Sequence, residues 1–321
     1  DTVVTCDDAD SVLRHVDLYC EDGRIRAIGP DLAVQADEVL DGSHLLCYPG
    51  LINTHHHLYQ QFSRNLPEVQ NLELFPWLKI WKNLDTEVVH ASSLTGMGEL
   101  MKNGCTTCFD HHYVFPAGCG DLLSAQFAAA DELGMRMVAS RGSMDLSVKD
   151  GGLPPDSVVQ SVDAILEDSA ALIERWHDPS YGSMRQIALA PCSPFSVSRE
   201  LLLQSAKLAR QYHVRLHTHL AETKDEERYT LDRYGLRPLA YLESLGWVGP
   251  DVWFAHGIHF TDAELDLLAE TGTGVAHCPV SNMKLSSGIA RIPEMLELAK
   301  KHSVALLRSN ETTCTLMGSL I

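Results

Sequence analysis

Val252–His277 reads VWFAHGIHFTDAELDLLAETGTGVAH, and it contains a strand, a helix and a second strand. Val252–Ala255 is a short apolar run that ends on His256. Thr261 and Glu264 have the spacing of a capping box, in which each side chain satisfies a backbone N–H at a helix start. Gly272 supplies a left-handed stop, and a new apolar run, 273–277, ends on His277. Working outward, the same rhythm repeats. Strands are expected at 46–53, 105–110, 136–141, 186–191, 214–219 and 303–307. One helix is expected from Asp85 to Gly104, another ending at Gly134, and a third from Asp156 towards His177. Eight strands alternating with helices predict a (β/α)₈ barrel of the TIM type, with a doubly wound sheet as the rival.

The texture before Pro49 differs. Residues 1–48 read as short strands and turns, with Asp-Gly pairs at 22–23 and 41–42 as hairpin or turn signals. The chain therefore divides into a partial β-sandwich at 1–48 and a barrel at 49–321. Residues 142–155, GSMDLSVKDGGLPP, read as a long loop over one face of that barrel.

The charge balance excludes some functions. There are 43 acidic residues against 25 basic ones, a net charge of -18, with no Lys/Arg stripe. Nucleic acid and anionic membranes are disfavoured as partners. No apolar run reaches the ~18 residues of a membrane span. The chain opens at Asp1 without Met or a signal peptide, which points to a missing start rather than to secretion. Nine irregularly spaced cysteines, an odd number, fit a reducing cytoplasm better than a disulfide framework. Cys105-Thr-Thr-Cys108 has a metal-like spacing. In a strand, however, positions i and i+3 face opposite sides, so core thiols are the better reading.

The histidines collect where a barrel carries its chemistry, at the C-terminal strand ends. His55 and His57 lie in NTHHHLYQQF (Asn53–Phe62), His217, His219 and Glu222 in VRLHTHLAE (Val214–Glu222), and His256 and His277 at later strand ends. Alternation along a strand puts His55 and His57 on one face and turns His56 away. It also puts His219 nearer the mouth than His217, which is read as a hydrogen-bonded core histidine. Three imidazoles suit zinc, with iron as the alternative, better than oxygen-seeking magnesium or calcium. H-x-H alone is a weak signal. Combined with H-x-x-E after the fifth strand and His after the sixth, it is a strong one.

PGLINTHHHLYQ, NLELFPWL, APCSPFSVS, LHTHLAET, AHGIHF and HCPVSNMKLSSG together resemble the amidohydrolase superfamily, in its deaminase and chlorohydrolase branch. ASRGSM, GGLPPDSVV and GTGVAHCPVSNMKLSSGIA resemble its 8-oxoguanine deaminases. The resemblance implies one divalent ion per chain on His55, His57 and His219, with Glu222 as proton shuttle. It makes His256 the residue that orients water or polarises the substrate, and Gln60, Trp77, Arg141 and His277 the residues that contact it. For Arg141 an ion pair is an equally weighted reading. The implied reaction is attack by metal-bound hydroxide on an oxidised purine, 8-oxoguanine going to urate and ammonia. A metal lowers the pKa of water to about 7, and a shuttle carboxylate adds about 10²–10⁴-fold. Rival substrates are guanine, isocytosine, adenosine-derived compounds and triazines. A cytidine-type deaminase is excluded because APCSPF and HCPVSN lack the second cysteine of P-C-x-x-C. A small purine-like molecule is the expected partner, and a homo-oligomer is left open.

The resemblance fades after about Leu306. The family's eighth strand ends in an Asp, and here Ser309 takes that register, with Glu311 as the nearest carboxylate. The sequence thus predicts a barrel truncated near strand eight, with an inactive metal-binding fragment as the rival reading.

Overall fold

In the computed structural model, residues 1–7, 9–64, 66–67, 80, 82–302 and 314–316 are described. The backbone forms two compact units, Asp1–Gly50 and Leu51–Ile321.

In the first unit, β1 (Thr2–Val4) lies between β2 (Val12–Arg14), antiparallel, and β5 (Leu46–Cys47), parallel. β3 (Asp17–Glu21) and β4 (Arg24–Gly29) form a separate hairpin. Its turn is Asp22-Gly23, both at positive φ (51° and 71°), as a primed hairpin turn demands. The single strand expected over 46–53 is two. β5 ends before Pro49, which has no N–H to give to a ladder, and the barrel begins at Leu51.

The second unit carries seven parallel strands in chain order: β6 (Leu51–Asn53), β7 (Cys105–Asp110), β8 (Arg136–Ser143), β9 (Arg185–Pro191), β10 (Arg215–Leu220), β11 (Val252–His256) and β12 (Gly274–His277). They curl into a half-barrel of the TIM type. A short β13 (Cys314–Leu316) adds antiparallel to β12. The strand expected at 303–307, together with Ser309 and Glu311, lies outside the described residues.

The helices among the described residues are α1 (Thr86–Lys102), α2 (Leu122–Leu133), α3 (Val162–Trp176), α4 (Arg199–Tyr212), α5 (Lys224–Tyr234), α6 (Pro238–Glu243), α7 (Asp262–Thr271), α8 (Pro279–Lys284) and α9 (Ile292–Lys301). Their ends follow local chemistry. The Asp85 side chain caps α1, Gly134 ends α2 in the left-handed region, and the Thr261–Glu264 box with Gly272 bounds α7. The helix expected from Asp156 starts later, at Val162. Pro155 and Asp156 lead into a single 3₁₀ turn, and Ser161 accepts from the Ala164 N–H as the true cap. The 144–155 loop is tied to the segment after β9, where the Ser198 N–H donates to the Asp145 carboxylate at 2.7 Å.

Strand alternation sorts the core into two layers. Phe109, Val138, Ala188, Ala190, Trp253 and Ala276 form a small inner cluster. Cys108, Met137, Ala139, Ile187, Leu189, Leu216, Phe254 and Val275 belong to the larger cluster shared with the helices. Cys105 and Cys108 are both buried in this larger cluster, and no disulfide joins the described cysteines. Among the described residues no helix is long and apolar enough to cross a membrane.

Candidate metal centre

The strand ends bring four imidazoles together. His55 and His57 follow β6, His111 follows β7, and His219 lies in β10. One ligating nitrogen from each lies within 4.8 Å of all the others. His56 is not among them. The turn is held across strands: the His111 N–H donates to the His56 carbonyl at 2.7 Å, and His57 Nδ1 contacts the His111 carbonyl at 2.7 Å. Gly142 allows β8 to pass this turn, because a Cβ there would sit 2.2 Å from the His112 carbonyl oxygen.

The hydrogen bonds fix which lone pairs face inward. His57 Nδ1 and His219 Nδ1 each meet a backbone carbonyl, of His111 and Cys192, both at 2.7 Å. Each must therefore carry its proton on Nδ1. Their Nε2 atoms, left as bare acceptors, face each other at 3.2 Å. His111 Nε2 donates to the Ala190 carbonyl at 2.9 Å, and its Nδ1 is buried without a partner. His217 Nδ1 donates to the Trp253 carbonyl, which turns its Nε2 towards His55 Nδ1 at 2.9 Å and leaves His55 Nε2 available. His217 thus sits beneath the cluster, between Phe109 and Trp253, and steadies a ligand from below.

Lone pairs held this close, with no proton between them, fit a cation. Burial, then the neighbouring imidazoles, holds His55 and His219 well below the ordinary histidine value. The same two causes act on His111, and burial takes His57 to about 3. All four stay neutral, as metal binding requires. An all-nitrogen donor set, each outer nitrogen anchored to carbonyl or imidazole, is suited to a borderline divalent ion.

Glu222 and His256 stand beside the cluster. Glu222 follows β10, and its Oε1 is 3.6 Å from His256 Nε2. His256 Nδ1 contacts Asn282 Oδ1 on α8 at 2.8 Å, and the His256 ring stacks 5.4 Å from His219. His55, His256 and the buried Cys278 form a second convergent set.

The other expected residues are scattered. Gln60 is half-buried on the 3₁₀ turn Leu58–Ser63 that immediately follows His57. His277 is half-buried at the end of β12, and burial and nearby His256 lower its pKa. Arg141 is not brought to the histidines. It shares the outer parity of Met137 and Ala139 on β8, and its guanidinium donates to Asp168 of α3 (2.5 Å), Gln160 (2.8 Å) and the Gly142 carbonyl, stacked on Phe115. The ion-pair reading is the one this geometry supports, with the arginine buried and the Asp168 carboxylate about half exposed. Trp77 lies outside the described residues. Sequence reasoning misses His111 and Asp110 in CFDHHY, although both lie at the end of an expected strand.

This chain belongs to the amidohydrolase family, whose sequence pattern matches residues 46–309. It is 49% identical over 285 residues to the 8-oxoguanine deaminase of Pseudomonas aeruginosa, covering 87% of this chain and 64% of that one. It is 41% identical over 310 residues to a hydroxydechloroatrazine ethylaminohydrolase of a Pseudomonas species, covering 91% of this chain and 64% of the other. The chain thus spans a little under two thirds of the length of these relatives. Among solved structures it resembles the zinc complex of an atrazine chlorohydrolase from Arthrobacter aurescens TC1, with a TM-score of 0.83 and 30% identity over 93% of this chain and 68% of the other.

Proposed function

We propose that this chain carries the metal centre of a hydrolytic deaminase acting on an oxidised purine, converting 8-oxoguanine and water to urate and ammonia. The observation that carries the reading is the facing pair of bare Nε2 atoms on His57 and His219, flanked by His55 and His111, with the Glu222 carboxylate and the His256 imidazole alongside. His55, His57 and His219 hold the ion, with His111 as a further donor, and zinc suits the set, with iron as the alternative. When bound, the ion supplies a water acidic enough to lose a proton near neutrality, with a pKa of about 7.

The chain's own groups move the protons. Glu222 takes one from water and passes it to the ring nitrogen beside the carbon that bears the amine. Breaking that C–N bond then requires a proton on the leaving nitrogen, so that ammonia departs. His256, whose Nδ1–H donates to Asn282 Oδ1, turns the Nε2 lone pair towards Glu222 and orients the water by accepting from it. Gln60, three residues after His57, faces the substrate's polar edge. The likeness to the P. aeruginosa deaminase favours 8-oxoguanine over guanine and over triazines.

The test is metal analysis with an ammonia-release screen over 8-oxoguanine, guanine, isocytosine and aminotriazines. The expected result is about one zinc per chain and faster release from 8-oxoguanine than from guanine. Equal turnover of guanine, or chloride release from a chlorotriazine in place of ammonia from purines, overturns the substrate assignment. Glu222→Gln should abolish ammonia release while the metal stays bound, and loss of the metal would show that Glu222 is a ligand instead.

A further inference from the structure

The β10–α5 turn that delivers Glu222 is held from inside by a second carboxylate. Glu226, on the first turn of α5, is 1% exposed. Its Oε1 accepts from the Ala221 N–H at 2.9 Å and its Oε2 from the Glu222 N–H at 3.1 Å. The residue is itself anchored, since its N–H donates to Thr223 Oγ1, the cap of α5, at 3.1 Å. From the opposite side, the N–H groups of Ile258 and His259, just past β11, both donate to the Ala221 carbonyl at 2.9 Å.

The clamped residue is strained. Ala221 has φ 53°, a left-handed conformation in which a Cβ crowds the following carbonyl. Such a conformation persists only where its surroundings over-determine it, and such residues collect at functional sites. Here it turns the chain so that the Glu222 carboxylate ends 3.6 Å from His256 Nε2. Burying a carboxylate near another is costly. Burial, with a smaller push from the Glu222 charge, raises the Glu226 carboxyl, while the Ala221 and Glu222 N–H groups pull it back towards the charged form that accepts from both.

We propose that Glu226 is a positioning residue, whose two carboxylate oxygens hold the Ala221 and Glu222 amides so that Glu222 faces the metal centre and His256. The proposal rests on the reading of Glu222 as the proton carrier. It leaves the metal to the histidines, because His219 is fixed independently by the Cys192 carbonyl. A glutamine at 226 keeps the size but offers only one oxygen, so one of the two amides would face an NH₂ group, donor against donor.

The test compares the zinc-loaded 321-residue chain with its Glu226→Gln variant. Amide exchange at 221 and 222 should quicken at least tenfold in the variant, with the amides of β10 and the metal affinity unchanged. In ammonia release from 8-oxoguanine, kcat should fall by about ten- to hundredfold with KM within twofold, the size expected for a misplaced catalytic group. Adding Ala221→Gly should recover part of kcat, because glycine takes φ 53° without strain. Unchanged exchange at 221 and 222 overturns the proposal. So does a joint fall of kcat, metal content and β10 protection, which marks a merely structural role. If the parent chain releases no ammonia from any substrate, the reading of Glu222 fails, and the exchange measurement alone still decides whether Glu226 holds the turn.

Discussion

Two neighbouring turns, Thr54–Leu58 after β6 and Asp110–Tyr113 at the end of β7, both carry runs of histidine and do different work. Each carries adjacent histidines that strand parity sends opposite ways. After β6, His55 and His57 face the cluster and His56 does not. After β7, His111 faces it and His112 turns aside, with its Nε2 on the Val114 carbonyl at 2.9 Å and its ring against Tyr59 and Phe115. The first turn gives two ligands. The second gives one, and spends its remaining groups on the first: the His111 carbonyl meets His57 Nδ1, and Asp110 Oδ1 accepts from the Leu58 N–H at 2.6 Å. Parity chooses which imidazoles face the metal, and the neighbouring turn fixes how they face it.

The two turns differ most at the ligands they supply. His57→Ala removes one of the two facing Nε2 atoms, and bound metal measured by elemental analysis should fall from about one per chain to below detection. Stoichiometric metal in that variant would mean that the ion sits elsewhere, with the set at His55, His256 and Cys278 the next to examine.

His111→Ala is milder. It deletes a donor but leaves the carbonyl that orients His57, so affinity measured by competition with a chelator should drop by roughly 10–100-fold, the scale seen when a supporting group at a metal site is lost. An effect as large as that of His57→Ala would make the two turns equivalent, and no change at all would reduce His111 to scaffold.

Much of this was legible in the strand rhythm. Runs ending on His55, His219 and His256 pointed to one mouth, and caps such as Asp85 and the Thr261–Glu264 box marked helix ends that the structure reproduces. His111 was hidden because it lacks the i, i+2 partner that makes His55 and His57 conspicuous. Arg141 showed its parity in the sequence, but its partner Asp168 is on another element, and only tertiary packing brings the two together. Glu226 looks like an ordinary first-turn acid, which any helix start favours. Nothing local says that its oxygens point back at the residues before the cap.

The smallest effect on the metal is expected from Asp110→Asn. The Asp110 carboxyl is fully buried, and its Oδ2 accepts from Gln126 Nε2 at 2.5 Å while Oδ1 holds Leu58. Asparagine keeps an oxygen for Leu58, and its NH₂ is met if Gln126 flips to present Oε1, an atom now buried without a partner. Metal affinity should therefore stay within about threefold, since the turn carrying His57 keeps its anchor. The signature appears instead in pH dependence. Burial raises the Asp110 carboxyl from 3.8 to about 7, so the fold prefers its neutral form while the unfolded chain gives up the proton near pH 4. Between those values the unfolded state binds fewer protons than the native one, and this group makes the parent progressively less stable as pH rises. The amide that replaces it has no proton to lose. The stability of the variant relative to the parent, measured by urea unfolding of the metal-free proteins, should move in the variant's favour from about pH 4 to about pH 7 and level off above. A difference that stays flat across that window would show that Asp110 is ionised throughout. The second turn would then hold the first by charge as well as by geometry.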